Sequence, residues 1–368
     1  MSCVIKSMNV MSYLLLTIPL LAAALAFVMI PLIRKLALGT GLVDLPNSRK
    51  VHQKAVPLVG GIAVFLASNL AMLVAYFFEP SVKEIESHFI LALVLLAVGI
   101  IDDHRDLSAL LKLGIQLVLA HFVFMAGIRI DSFYGFFGVY ELAPWIQYGI
   151  TLLVIAGVVN AFNLMDGIDG LAAAMAIVAM SAFTVIAFIT SQLVLALVFL
   201  AFIGSLIVFL FYNFSTDKKI FMGDAGSLVL GFILVVSAIQ LLQKADAHPR
   251  MNLVLISVVA VLLLPVLDSI RVFRQRIKAG KSPFAPDKTH LHHLVLSLGM
   301  KHCIATITIV GISLLHVVVG YVIQLVAGPT VALLAMVLLY IVTLSLLTQT
   351  VVVRSGKKEL EKITAAQD

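Results

Sequence analysis

Eleven apolar stretches, most of them close to the length of a membrane-crossing helix, divide this sequence and leave little between them. They lie at roughly 11–33, 58–78, 88–101, 112–128, 145–162, 171–190, 193–212, 226–243, 251–270, 303–327 and 330–350. A helix needs about 20 apolar residues to cross the hydrocarbon core of a bilayer. Only 12% of the residues are charged, against roughly 25% in a soluble domain. The sequence therefore predicts an all-α polytopic membrane protein with about 11 transmembrane helices. A single domain is expected over residues 1–368, because no soluble domain fits between the runs. The first run is too long for the apolar region of a signal peptide and ends on Arg34 and Lys35, so it is read as a helix. The 88–101 run is short, so its helix is expected to extend through Asp102 and Asp103 or to begin earlier. Gly328-Pro329 predicts a tight turn between the last two runs.

Net charge is +6 and the pI about 9.3. In a membrane protein such a surplus reads as cytoplasmic loops rather than a nucleic-acid surface. With the N-terminus outside, 20 of the 25 Lys and Arg fall in inner loops and in a C-terminal tail at about 351–368. That split predicts N-terminus out, C-terminus cytoplasmic and an odd number of crossings. Cys3 and Cys303 are far apart in sequence and suggest no disulfide framework.

Four polar clusters interrupt the apolar pattern: Ile101–Asp106, Asn163–Gly170, Phe221–Ser227 and Pro286–His293. The orientation rests on Lys and Arg alone, yet it puts all four at the cytoplasmic face. Asp102, Asp103, Asp106, Asp166, Asp169 and Asp224 are six carboxylates at the edge of a low-dielectric region, with Arg105 and Lys112 close by in sequence. Such acids must be protonated, paired, or gathered on a cation. Oxygen-only ligands favour Mg²⁺ or Mn²⁺ over zinc. Mg²⁺ takes one or two carboxylates and fills its shell with water and phosphate, so some of the six must position substrate instead. Asp102 and Asp106 are spaced i, i+4, and Asn163, Asp166 and Asp169 repeat every three residues, as on one side of a helix.

His290, His292 and His293 follow a basic stretch with Arg271, Arg274, Arg276, Lys278 and Lys281. So many cations favour an anion site over zinc, and part of the run also serves as a topological anchor. Arg49, Lys50 and His52 in the first inner loop suit an anchor or a substrate role equally.

These motifs in combination resemble the polyprenyl-phosphate N-acetylhexosamine-1-phosphate transferases. The resemblance runs from about 41 to 298. It rests on Pro46–His52 before Pro57–Gly61, on Asp102-Asp103, on Asn163–Gly170, on Phe221–Ser227 and on His290-Leu291-His292-His293. The family includes the phospho-MurNAc-pentapeptide transferase and the bacterial GlcNAc-1-phosphate transferases. Its peptidoglycan branch carries three consecutive histidines, so the His-Leu-His-His pattern points to the GlcNAc branch. The resemblance implies Asp224 as Mg²⁺ ligand with Asn163 near the metal, and Asp102 and Asp103 beside the lipid phosphate. It implies Lys112 on phosphate, Phe221 stacked on uracil, and Asp166 and Asp169 in the nucleoside and metal region. His290, His292 and His293, with Arg271 and Arg274, match the diphosphate and sugar contacts.

The expected reaction is transfer of GlcNAc-1-phosphate from UDP-GlcNAc to undecaprenyl phosphate at the cytoplasmic face of the bacterial inner membrane. Another UDP-N-acetylhexosamine is the main alternative substrate. An ion-coupled transporter is the rival from another class, but transporter sites usually lie near the bilayer midplane. No nucleic-acid partner is expected, and a homodimer stays open.

Overall fold

The computed structural model describes residues 2–46, 55–285 and 288–365. Arg49, Lys50 and His52 of the first inner loop, and Asp287 of the last cluster, lie outside the described residues. The architecture is all-α. Its helices are α1 (Ser2–Thr40), α2 (Gly60–Phe78), α3 (Glu86–Arg105), α4 (Ala109–Met125), α5 (Pro144–Met165) and α6 (Leu171–Ile189). They continue with α7 (Leu193–Asn213), α8 (Gly223–Ala245), α9 (Met251–Lys278), the short α10 (Leu291–Ser297) and α11 (His302–Ala365). The strands β1 (Val43–Asp44) and β2 (Val56–Pro57) pair antiparallel between α1 and α2. Among the described residues eight helices are long and apolar enough to cross a membrane, and the chain is a multi-pass membrane protein.

Helix α11 is not one rod. At 1.5 Å per residue a straight helix of 64 residues would run about 96 Å, three times the hydrocarbon thickness. Gly328 leaves helical geometry at φ +82°, ψ 174°, and Pro329 follows. Two arms, 302–327 and 329–365, fold back on each other, so that Gly320 faces Met336 and Gly299 lies by Arg354. The predicted turn at Gly328-Pro329 is the observed one.

Helix α8 runs through the middle of the bundle and is buried almost throughout. It packs against α2, α3, α5, α6 and α9. Its first turn is reached by two glycines that let backbone touch backbone. A Cβ on Gly61 of α2 would overlap Gly226, and one on Gly99 of α3 would overlap Ala225. Lipid supplies no hydrophobic drive between helices, so close approach of small residues does that work. Here it draws the starts of α2 and α8 and the end of α3 to one point.

Two expectations about helical faces do not hold. Helix α5 ends at Met165 with Asp166 at its C-cap, so Asn163, Asp166 and Asp169 do not share one helix face. Gly167 and Gly170 break the periodicity. Likewise α3 ends at Arg105 and Asp106 turns out of it at φ +48°, which separates Asp106 from Asp102 and Asp103.

Gly61→Val and Gly99→Val should each destabilise the detergent-solubilised protein by about 3 kcal/mol or more, because backbone must move. Gly114→Ala, inside α4 where nothing lies within 4 Å of the new methyl, should leave the thermal midpoint unlowered or slightly raised. Thermal unfolding of the three variants checks this.

Candidate active site

The clusters meet at the end of the bundle where α3, α5 and α7 stop and α4, α6 and α8 begin. Backbone pairing starts the assembly. Phe221 N–H donates to Pro57 O at 2.9 Å, Gly60 N–H to Phe221 O at 2.8 Å and Gly61 N–H to Met222 O at 2.9 Å. The Pro57–Gly61 segment therefore clasps the start of the Phe221–Ser227 motif, and both glycines are there for close approach.

Asp102 and Asp103 do different work. Successive helical residues point about 100° apart, so the two carboxylates face different neighbours. Asp103 accepts from Asp224 N–H at 2.7 Å and from Ala225 N–H at 3.2 Å. It thus caps the N-terminus of α8, whose own N-cap residue, Met222, offers no side-chain bond. Gly223, at φ +74°, leaves the room, because a Cβ there would strike the Asp103 carboxylate. Asp102 accepts from Leu107 N–H at 2.7 Å and pairs with Lys112 Nζ at 2.5 Å. Lys112 also reaches Asp224 Oδ2 at 3.2 Å, so one ammonium bridges two acids 122 residues apart. The Asp102 side chain is 3% exposed and that of Asp224 is 38% exposed. Of the pair that Lys112 bridges, Asp224 is the one an incoming ligand can reach.

Asn163 Nδ2 donates to Asp224 Oδ1 and to Ser227 Oγ, both at 3.0 Å. This holds the Asp224 carboxylate from the side opposite Lys112. Beside it, the Asp166 carboxyl is pushed up to about 8 by burial and then by the carboxylates of Asp224, Asp103 and Asp169. One ammonium, Lys112, faces the two carboxylates of Asp102 and Asp224, so negative charge is not fully offset there. Hard oxygen donors and surplus negative charge fit a divalent cation of the Mg²⁺ type, not a soft metal. Among the described residues no three His, Cys, Asp or Glu side chains form a closed cage.

Asp169 is committed elsewhere. It pairs with Lys219 Nζ at 2.7 Å and with His302 Nδ1 at 3.0 Å, and its carbonyl accepts from Thr306 Oγ1 at 2.8 Å. Burial pushes its carboxyl up, but His302 and Lys219 outweigh that and hold it below the usual range. It ties the α5–α6 loop to the α7–α8 loop and to α11. Lys219 also lies over the Phe221 ring, 5.4 Å from its centroid, and the ring is half-buried.

The histidine loop has a hub the sequence reading passed over, Asp268. It is buried in α9 and accepts from Arg271 Nη2 at 2.6 Å, from His290 Nδ1 at 2.9 Å and from Leu291 N–H at about 3.1 Å. Arg276 faces the other side of His290, 3.5 Å from Nε2. Arginine only donates, so the proton on this ring belongs on Nδ1. Arg271 also bonds Thr289 O at 2.6 Å and Tyr340 Oη at 3.2 Å. His290 and Arg271 are therefore held by the protein itself. His292 stacks on His290 and packs against Gly167, where a Cβ would overlap its ring. Burial, then His293 and His290, push the His292 imidazole down to about 3. A neutral ring there offers hydrogen bonding, not charge. His293 is half-buried beside it. Arg274 is exposed and, among the described residues, bonds none of these groups.

Asp169→Asn should cost about 1–2 kcal/mol at pH 6, for two part-exposed charged hydrogen bonds. Because the folded carboxyl sits below its unfolded value of about 3.9, that stability is present above about pH 4 and is lost as pH falls further. Thermal unfolding against pH should show the gap between parent and variant closing only below about pH 4.

Glycosyl transferase family 4 matches residues 85–242. The chain is 34% identical over 282 residues to a Bacillus subtilis (strain 168) protein named "Probable undecaprenyl-phosphate N-acetylglucosaminyl 1-phosphate transferase", covering 76% of each chain. It is 35% identical to the undecaprenyl-phosphate alpha-N-acetylglucosaminyl 1-phosphate transferase of Yersinia pestis, covering 72% of each. The enzyme of that name in Escherichia coli (strain K12) is 33% identical, again over 72% of each. The family region holds Asp102, Asp103, Lys112, Asn163, Asp166, Asp169, Phe221 and Asp224, and the relatives span most of the chain. The chain belongs to glycosyl transferase family 4.

Proposed function

We propose that the protein transfers GlcNAc-1-phosphate from UDP-GlcNAc to undecaprenyl phosphate, releasing UMP, at the cytoplasmic face of a bacterial inner membrane. The observation that carries this reading is the Lys112 bridge between Asp102 and the reachable Asp224, at a helix end where all the acidic motifs meet. The names of the relatives supply the two substrates. Counting the two arms of α11 separately and adding α3 and α4 to the other long helices gives eleven candidate crossings among the described residues, an odd number that supports an N-terminus outside and a C-terminus inside.

A phosphate oxygen of the lipid attacks the β-phosphorus of UDP-GlcNAc. The bond from that phosphorus to the bridging oxygen breaks, and UMP leaves with the bridging oxygen. Lys112 offsets charge on the reacting phosphates and orients them. Asp224, with Asn163 and Asp166 beside it, would hold Mg²⁺, or Mn²⁺ in its place. The bound ion supplies charge neutralisation on the diphosphate as UMP departs. Phe221 offers a face for the uracil ring. His292 and His293 offer hydrogen bonds toward the diphosphate or sugar. Asp268 fixes Arg271 and His290 so that the loop holds its shape.

No general base is required. A phosphate monoester has a second pKa of about 6 and is largely ionised at neutral pH. Both oxygens of Asp103 already accept backbone N–H groups, and Asp102 is spent on Lys112 and Leu107. Catalysis of this kind rests on alignment and charge.

Purified protein with Mg²⁺, undecaprenyl phosphate and a panel of UDP-sugars should release UMP, fastest with UDP-GlcNAc. Folded protein releasing no UMP from any sugar would overturn the reading. Lys112→Ala should lower kcat by roughly 10²-fold or more. Asp103→Asn should lower kcat equally at pH 7 and pH 9; recovery at pH 9 would mean that Asp103 acts as a base.

A further inference from the structure

Helix α4 is held to the bundle by one narrow face. Its buried residues are Gln116, Leu119, Ala120 and Val123, a spacing of i, i+3, i+4 and i+7 that makes a single stripe. Lys112 precedes Gln116 by four residues and stands at the active-site end of the same stripe. Leu110, Leu111, Val118, Phe122 and Met125 are exposed along the other faces. Helix α4 packs mainly on α5. Lipid receives any apolar face equally well, so apolar packing alone fixes the rotation and depth of such a helix only loosely.

Gln116 is the polar member of the stripe. It is 2% exposed, and its Oε1 accepts from Asn160 Nδ2 on α5. Asn160 Nδ2 also donates to Ala156 O at 2.8 Å, so the amide is fixed on its own helix before it reaches across. Asn160 is three residues before Asn163, which holds Asp224. Each helix therefore sets two polar side chains one turn apart, Lys112 and Gln116 on α4, Asn163 and Asn160 on α5. The first of each pair meets Asp224, and the second of each pair meets the other about 5 Å deeper by helix rise. A second hydrogen bond between these helices, shared by His121 Nδ1 and Tyr148 Oη at 3.2 Å, is exposed and lies nine residues from Lys112.

We propose that Gln116, seated on Asn160, is a positioning residue for Lys112. The inference rests on the transferase reading. Lys112 is placed by Asp102 and Asp224. Once a substrate phosphate draws the ammonium from Asp224, its aim depends on Asp102 and on the seat of α4. Lysine is a point charge on a flexible four-carbon stem, so its backbone must be seated for it to be aimed. A displacement of about 1 Å costs roughly 10²-fold in rate, whereas one hydrogen bond between membrane helices adds little to stability. The amide pair thus matters more to turnover than to folding.

Gln116→Leu removes the acceptor at similar volume. It should lower kcat for UMP release about 10-fold, with KM for UDP-GlcNAc within about twofold and the thermal midpoint within a few degrees of the parent. Gln116→Asn combined with Asn160→Gln moves one methylene across the pair and keeps its reach, so the double variant should recover most of the activity that either single variant loses. In a Lys112→Ala background Gln116→Leu should cost less than about twofold further, because the residue acts through a lysine that is gone. His121→Phe, which loosens α4 away from Lys112, should leave kcat within about twofold of the parent. An undiminished loss in the Lys112→Ala background, or an equal loss in His121→Phe, would mean a general loosening of α4 and overturn the proposal, as would parental kcat in Gln116→Leu. Acylation of Lys112, followed by peptide mass spectrometry, needs no turnover. Its rate should rise several-fold in Gln116→Leu and return to the parental rate in the double variant. Absence of UMP release from the parent overturns the transferase reading; an unchanged Lys112 rate in protein that does release UMP overturns the positioning role alone.

Discussion

A carboxylate at the edge of a bilayer must find a partner, and for Asp103 that partner is the start of another helix. Helix α8 begins at Gly223 with unbonded N–H groups and no cap from its own N-terminal residue. Asp103 accepts from the N–H of Asp224, 121 residues further on, at 2.7 Å. The positive end of a helix and a negative side chain suit each other, most of all where the dielectric is low. The contact sets the depth and rotation of α3 against α8. Once it is made, Asp102 turns toward α4 and meets Lys112, and Lys112 is brought to Asp224. Gly61, Gly99 and Gly226 allow the backbones to come that close.

The same contact separates two residues that look like one motif. Adjacent aspartates suggest a shared function, such as a catalytic pair. In the fold, one holds a helix and the other holds a lysine. The reachable acid is Asp224, with the Asp166 carboxyl close enough to feel its charge. The site thus spends most of its carboxylates on architecture and keeps few for ligands. This matches the chemistry of a divalent ion bound by few protein groups and completed by phosphate.

Much of the fold was legible because lipid imposes simple rules. Apolar runs marked the helices, Lys and Arg marked a face, and Gly328-Pro329 marked a turn. The acidic clusters share one end of the bundle, as the charge split required. Less legible were contacts between distant residues. Nothing local says that Lys219 and His302 neutralise Asp169, since His302 is 133 residues away. Helical spacing misled where glycine ends the helix, as at Asp166 and Asp169. Asp268 did leave a signal: it is an acid inside an otherwise apolar run, with Arg271 three residues on. An ionisable residue inside a membrane helix is by default a functional position.

Asp268 also changes what the histidine loop can be. A cluster of three histidines near many arginines reads as a patch of positive charge for phosphate. Two of its members are spoken for. His290 gives its Nδ1 proton to Asp268 and faces Arg276, and Arg271 is bound to Asp268, Thr289 and Tyr340. His292 is buried and neutral against Gly167. The loop therefore offers shape and hydrogen bonds, and in the proposed reaction the charge that meets phosphate would come chiefly from Lys112. The motif becomes a fixed wall because a single buried aspartate holds it from behind. A rigid wall is what alignment-driven phosphoryl transfer needs, since the reacting atoms must be held in line before either charge or metal can help.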